Sequence, residues 1–292
     1  MNILYVTTSN KEIFEASGKE MLNSFLKSKT DGNIFLSCEG FSFDVKNPDH
    51  LLSKKWRDKL ANKNKKILTY NLSKDSFLNS WLEENKDVIP VHMGGEATPE
   101  SCPDAFGPGN IRAAGWFRKI ATLNAALTKH GKDYDCIVFV DSDCMFKEKI
   151  SHEMISDAFS KYSVFYHLGK LRIQKGMGVE SGFVGFKNDE HGYKILETWI
   201  SKYKNKAFIK YKRWDDGGML RYVIEEAKFK HCRDLVKNYN SIPGKSKSHA
   251  IERGMFANHV EHYKGLHKNL GIGKEASFRG LTKDIARKKK II

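Results

Sequence analysis

The chain has no run of about 18 apolar residues, so it offers no transmembrane helix. Its first residues, Met1-Asn2-Ile3-Leu4-Tyr5-Val6, lack a basic flank and a long apolar stretch; they read as a first strand, not a secretion signal. Cysteine is sparse: Cys38, Cys102, Cys136, Cys144 and Cys232 are odd in number, scattered, and form no CxxC pair. That pattern argues against a disulfide framework or a structural zinc and favours a reducing compartment, with the cytoplasm as the expected location. Cys136 and Cys144 flank a strongly apolar stretch and read as small core residues. There is no internal repeat. No RNP, zinc-finger or helix-turn-helix signature is present, and basic residues are not interleaved with aromatics, so a nucleic-acid partner is not expected.

What the chain does have is positive charge. Lys and Arg number 50 against 35 Asp and Glu, a net charge of +15 over 292 residues. Such a balance points to anionic partners, of which phosphorylated substrates and a membrane surface remain once nucleic acid is set aside. Apolar residues make up 40% and aromatics 12%, enough for a globular domain with a true core. The end of the chain, Arg287-Lys288-Lys289-Lys290, concentrates the charge; residues 271–292 read as a basic tail able to meet anionic lipid.

One stretch organises the rest. Cys136-Ile137-Val138-Phe139-Val140 is followed at once by Asp141-Ser142-Asp143. A continuous apolar run reads as a strand buried on both faces, as in a parallel sheet. Ligands of open α/β sheets sit off the carboxyl ends of such strands. Two carboxylates there repel each other unless a proton or cation lies between them, and a hard divalent cation bridging to phosphate oxygens is the natural partner.

The flanking pattern supports an α/β layout. Strands are expected at Asn2–Thr7, Asn33–Ser37, Lys66–Tyr70 and Ser163–Leu168. Helices are expected at Glu12–Lys27, Ser76–Glu84, Ala113–His130, Ser151–Ser160, His191–Tyr203 and Met219–Ala227. A glycine-rich turn, Gly176 to Gly182, leads into a further strand. Gly94–Gly109 and 239–249 read as loops, the first long enough to be functional.

Three further features carry chemistry. His262-Tyr263-Lys264-Gly265-Leu266-His267-Lys268 forms an HxxGxxK pattern about 120 residues after the aspartates, and Arg118-Lys119 stands on the helix just before them. Trp214-Asp215-Asp216 precedes a helix, where aspartate is also a common N-cap.

Asp141-x-Asp143 resembles the metal-binding motif of A-type (GT-A) nucleotide-sugar glycosyltransferases. HxxGxxK is similar to the C-terminal motif of their retaining, glycogenin-like and xylosyltransferase-like members. The resemblance covers residues 1–270 thinly and implies one GT-A domain, with a Rossmann-like, mostly parallel central sheet and helices on both faces. It implies transfer of a sugar from a nucleotide-sugar, a UDP-sugar above all, to a glycan, lipid-linked or protein acceptor, with retention. It implies Mn²⁺ or Mg²⁺ held by Asp141, Asp143 and His262, a donor set whose oxygens and imidazole suit Mn²⁺. Thr7, Thr8, Asn10, Arg118, Lys119, Asp141 and Ser142 would meet the nucleotide. Gly265 would let the backbone approach a phosphate and Lys268 would offer it a compact charge. Glu180, Asp215 and Asp216 would act around the transferred sugar. The family often follows the lysine with Pro-Trp; here Asn269 and Leu270 follow. A bacterial or viral enzyme of surface glycans is the expected setting.

Two other classes fit parts of the pattern. A haloacid-dehalogenase-like phosphatase also places Asp-x-Asp after a strand, with the first Asp as nucleophile. Met145 stands where that motif has Thr or Val, the motif lies far from the N-terminus, and HxxGxxK goes unexplained. A basic nucleic-acid or membrane-surface binding module would make the charge primary.

Overall fold

The computed structural model describes residues 1–42, 67–86, 113–211, 213–236 and 250–263. The chain opens with β1 (Ile3–Asn10) and a helical segment ending in α1 (Lys19–Lys27), then β2 (Asn33–Glu39), β3 (Ile67–Asn71) and α2 (Ser76–Glu84). It continues through α3 (Ala113–His130), β4 (Cys136–Val140), β5 (Cys144–Phe146), α4 (His152–Phe159), β6 (Val164–Tyr166), α5 (Gly169–Gln174) and β7 (Phe183–Lys187). Last come α6 (Glu190–Lys204), α7 (Asp216–Glu226), β8 (Cys232–Asp234) and β9 (Val260–His262).

Seven strands form one mixed sheet in the order β3-β2-β1-β4-β7-β6-β8. Every pairing is parallel except those of β7, which runs antiparallel to both β4 and β6. The α/β architecture expected from the sequence is therefore present. Strand order departs from β1 in both directions, so β1 and β4 flank a topological switch point, and their carboxyl ends face one crevice. The antiparallel β7 adds something a purely parallel sheet lacks. Its amino end lies against the carboxyl end of β4, with Phe183 opposite Val140, so residues 180–182 arrive where β4 releases Asp141.

The apolar strands are explained by helices on both faces. Leu4 and Val6 of β1 and Ile137 and Phe139 of β4 point into one core with Phe117, Trp81 and Trp199. Ile3 and Tyr5, and Val138 and Val140, point into the other with Phe25, Phe159 and Phe165. This is the two-residue alternation of a strand read on a sheet covered twice. On the first face Trp81 and Phe117 stack at 3.8 Å and 13°, and the indole Nε1–H donates to Tyr203 O at 2.9 Å.

Helix starts follow side-chain chemistry. Asn10, Asp75, Ser151, Asp189 and Asp215 each accept from the backbone N–H three residues on, satisfying a donor that the helix itself leaves open. Three expectations change. The helix expected over Glu12–Lys27 contains a π-helical turn at Phe14–Gly18, where Gly18 lies so close to Phe14 that a Cβ would stand 2.8 Å from its ring. The last long helix begins at Asp216 rather than Met219, because Asp215 caps it. The short elements α5, β5, β8 and β9 carry too few residues to show a period in sequence. The loop expected at Gly94–Gly109, the loop at 239–249 and the basic tail at 271–292 lie outside the described residues.

Candidate functional site

Asp141 follows β4 directly. Its N–H donates to Gly182 O at 2.9 Å, and its carbonyl accepts from Cys144 N–H at 2.9 Å, which turns the chain from β4 into β5. β5 pairs antiparallel with β9, and Cys144 stands opposite His262. The Tyr263 N–H donates to Asp143 O at 3.0 Å. That small two-stranded sheet brings His262 to the aspartates.

The imidazole Nε2 lies 3.1 Å from Asp143 Oδ1 and 3.5 Å from Asp141 Oδ2. Nδ1 lies 3.3 Å from Glu180 Oε1. Burial alone would lower the His262 pKa, but the charge of Asp143, hydrogen bonds to Asp143 and Glu180 and the charge of Glu180 raise it to about 9. Gly182 makes the approach possible: a Cβ there would stand 2.5 Å from His262 Cε1 and 3.0 Å from Asp141 Oδ2. One ligand atom each from Asp143, Cys144 and His262 lies within 4.8 Å of the others, a buried constellation able to hold a metal ion. Cys144, expected only as a core residue, thus stands beside the aspartate and the histidine, with its thiol 3.4 Å from Gly182 O.

Lys119 fixes the other side. It is 5% exposed, with Nζ 2.9 Å from Asp141 Oδ1, ion-paired to Asp216, 3.2 Å from Ser181 Oγ and 4.5 Å from the Phe139 ring centroid. Burial works against its charge, but Asp141 and Asp216 outweigh that and hold its pKa above the ordinary lysine value. The structure therefore separates the neighbours Arg118 and Lys119, which the sequence treats alike. Arg118 faces Glu39, donating Nε–H to Oε2 at 2.6 Å and Nη1–H to Ala114 O at 2.8 Å, at the carboxyl end of β2.

The remaining expected residues divide. Asp215 is occupied as an N-cap, accepting from Gly218 N–H at 2.9 Å, and pairs with Arg213 Nε at 2.7 Å. Asp216 accepts from Ser181 Oγ–H at 2.7 Å and from its neighbour Gly217 N–H at 2.8 Å, as well as pairing with Lys119. Glu180 is 3% exposed and held between Arg172 and His262. Ser142 is buried. Thr7 is fully buried and Thr8 half-buried on opposite faces of β1, while Asn10 spends its Oδ1 on Ile13 N–H at 2.8 Å. Thr8 and Asn10 share one face of the strand and Thr7 stands on the other. Gly265 and Lys268 lie outside the described residues. Arg172 and Cys144 enter the site without having been singled out for it, whereas Ser181 and Gly182 belong to the glycine-rich run that leads into β7.

No family model matches the sequence, and no curated protein matches it. Among solved structures the chain is similar to mouse xyloside xylosyltransferase 1 in its apo form, with a TM-score of 0.48 and 11% identity over 90% of this chain and 97% of that one. It is similar to the apo WbbM bifunctional glycosyltransferase, with a TM-score of 0.45 and 12% identity over 90% of this chain. It is also similar to the glycosyltransferase GlyE of Streptococcus pneumoniae, with a TM-score of 0.44 and 8% identity over 80% of this chain. The chain spans 46% and 45% of the latter two, so their whole-protein activities extend beyond what it covers.

Proposed function

We propose that the chain is a metal-dependent glycosyltransferase that moves a sugar from a nucleoside diphosphate donor, a UDP-sugar above all, to a glycan or another hydroxyl acceptor. The observation that carries the reading is the convergence of Asp143 and Asp141 on His262 Nε2, at 3.1 and 3.5 Å, at the carboxyl end of the strand beside the switch point. The donor set fits a divalent cation. With His262 as a neutral ligand, the carboxylates of Asp141, Asp143, Glu180, Asp215 and Asp216 face the permanent cations Lys119, Arg172 and Arg213, a deficit of two charges. Asp143 and His262 would hold the ion with Asp141, and the Cys144 thiol stands alongside.

Such an ion neutralises the charge that develops on the departing diphosphate. The chain's own residues supply the rest. Lys119 clamps Asp141 and Asp216, so the two acidic segments keep one separation. Asp216, joined to Asp141 through that lysine, is the aspartate we assign to the sugar side of the site, and Asp215 keeps the helix start in place. The carboxylates still outnumber the cations when the ion is absent and His262 carries a proton, so the ion favours binding of the diphosphate. Retention of configuration rests on the resemblance of HxxGxxK alone.

The test is a donor screen. Nucleotide-sugars are incubated with the protein and Mn²⁺, and release of the nucleoside diphosphate is followed. Mn²⁺-dependent turnover of one UDP-sugar, lost in Asp143→Ala, is expected. Binding and turnover of no nucleotide-sugar, or turnover unchanged by a chelator, would overturn the reading.

A further inference from the structure

Glu180 faces two groups with its two oxygens. Oε1 lies 3.3 Å from His262 Nδ1, and Oε2 accepts from Arg172 Nη1–H at 3.0 Å. All three side chains are buried. Arg172 stands on α5 and makes more than this pair: Nε–H donates to Gly178 O at 2.8 Å and Nη2–H to Val179 O at 3.4 Å. One guanidinium therefore grips the segment that leads to Glu180 at two carbonyls and at the carboxylate. The backbone of Glu180 is held too, its N–H donating to His167 O at 2.7 Å. On the far side of the imidazole, Nε2 faces Asp143 and Asp141.

We propose that Arg172 and Glu180 form a positioning pair that sets the ring orientation of His262 and keeps its proton on Nδ1, so that Nε2 is the nitrogen offered to a divalent cation. This rests on the reading that Asp143 and His262 hold such an ion. An imidazole ligates through one nitrogen only when the other carries the proton, and a carboxylate at that second nitrogen fixes the choice. Arg172 is suited to hold the carboxylate because its planar fork reaches several acceptors at once, which lysine cannot do. A buried ion pair gains little over an apolar pair of the same volume. The contact with His262 gives this one a purpose that stability does not.

The segment also connects the pair to the sugar side. Gly178 lies so close to α7 that a Cβ there would stand 2.3 Å from Gly218 N, and the Val179 N–H donates to Gly217 O at 2.9 Å. Displacing Arg172 thus disturbs both the histidine and the start of the helix that carries Asp216.

The experiment titrates the full chain with Mn²⁺ alone, reading free ion by electron paramagnetic resonance, and compares Glu180→Gln, Arg172→Met, Arg172→Lys and His262→Ala. Loss of an outer carboxylate costs about 10- to 100-fold in metal affinity. Glu180→Gln and Arg172→Met are expected to weaken Mn²⁺ binding by about that factor in protein whose circular dichroism is unchanged, with Arg172→Lys between them and wild type. If wild type binds Mn²⁺ and His262→Ala does not, but Glu180→Gln binds like wild type, the positioning pair is refuted while the metal reading stands. If His262→Ala binds like wild type, the metal reading itself fails and takes the pair with it. Should the variants not fold, the ¹⁵N resonances of the wild-type His262 ring decide. With Mg²⁺ present, a protonated Nδ1 beside a proton-free Nε2 supports the pair, and a protonated Nε2 beside a bare Nδ1 overturns it.

Discussion

Gly182 and His262 fit each other so closely that a single added carbon would collide: a Cβ on Gly182 would stand 2.5 Å from His262 Cε1 and 2.7 Å from Nδ1. The imidazole cannot retreat, because it is buried against Glu180, Asp141 and Asp143. Gly182→Ala should therefore cost about 1–3 kcal/mol of stability, the usual range for overpacking. It should weaken Mn²⁺ binding in whatever folds. Titration of the variant with Mn²⁺ checks this; affinity equal to wild type would show that the ring has room to move.

Lys119 is the buried countercharge for two carboxylates from different elements, Asp141 after β4 and Asp216 at the start of α7. Replacing it with methionine leaves both without their cation. Breaking a buried pair in this way costs about 3–5 kcal/mol. The denaturation midpoint of Lys119→Met should fall accordingly, and Lys119→Met combined with Asp216→Asn should recover part of the loss. A double variant no more stable than the single one would mean that Asp216 contributes little to the pairing.

Asp215 separates two roles that one residue type can fill. As the N-cap of α7 it should tolerate serine, which caps equally well, whereas alanine should cost about 1 kcal/mol. Chemical denaturation of Asp215→Ser and Asp215→Ala measures this. Turnover of the screened donor should survive in the serine variant, because the carboxylate is committed to Gly218 N–H and Arg213. A stable but inactive serine variant would place Asp215 in contact with the sugar.

His167 sets an acid limit on stability. It is fully buried, its Nδ1 lies 3.0 Å from Phe183 O, and burial lowers its pKa from the ordinary 6.5 to about 4. Between those values the unfolded chain binds a proton that the folded chain refuses, so stability falls as pH drops from 6.5 towards 4. Above 6.5 the group contributes no pH dependence. The slope in that window is at most about 1.4 kcal/mol per pH unit from this one site. Denaturation of wild type and His167→Gln at pH 5 and pH 7.5 should show a smaller loss in the variant.

Some of this was legible without coordinates. The unbroken apolar run Cys136–Val140 can only be satisfied by burial on both faces, so the run announced a covered sheet and placed Asp141 and Asp143 at its end. Helix starts have a local cause too, since at Ser151 and Asp215 a side-chain oxygen answers an N–H three residues on, although the sequence pattern opened the last helix at Met219, three residues late. These signals survive in sequence because the causes lie within a few residues of one another.

The choice of partners did not survive in that form, and only the resemblance carried by HxxGxxK grouped His262 with the aspartates in sequence. His262 meets Asp143 only because two three-residue strands, β5 and β9, pair across 119 positions, and strands that short have no periodicity to read. Arg118 and Lys119 are neighbours with the same charge, and only the rotation of α3 against the sheet turned the lysine towards Asp141 and the arginine towards Glu39. Glu180 reached His262 because β7 runs antiparallel and presents its amino end, a direction set by sheet pairing rather than by the residues around Glu180. Sequence by itself determined that carboxylates stand at the end of a buried strand. Which nitrogen, which cation and which further carboxylate face them was decided by the fold, because those contacts join segments that are distant along the chain.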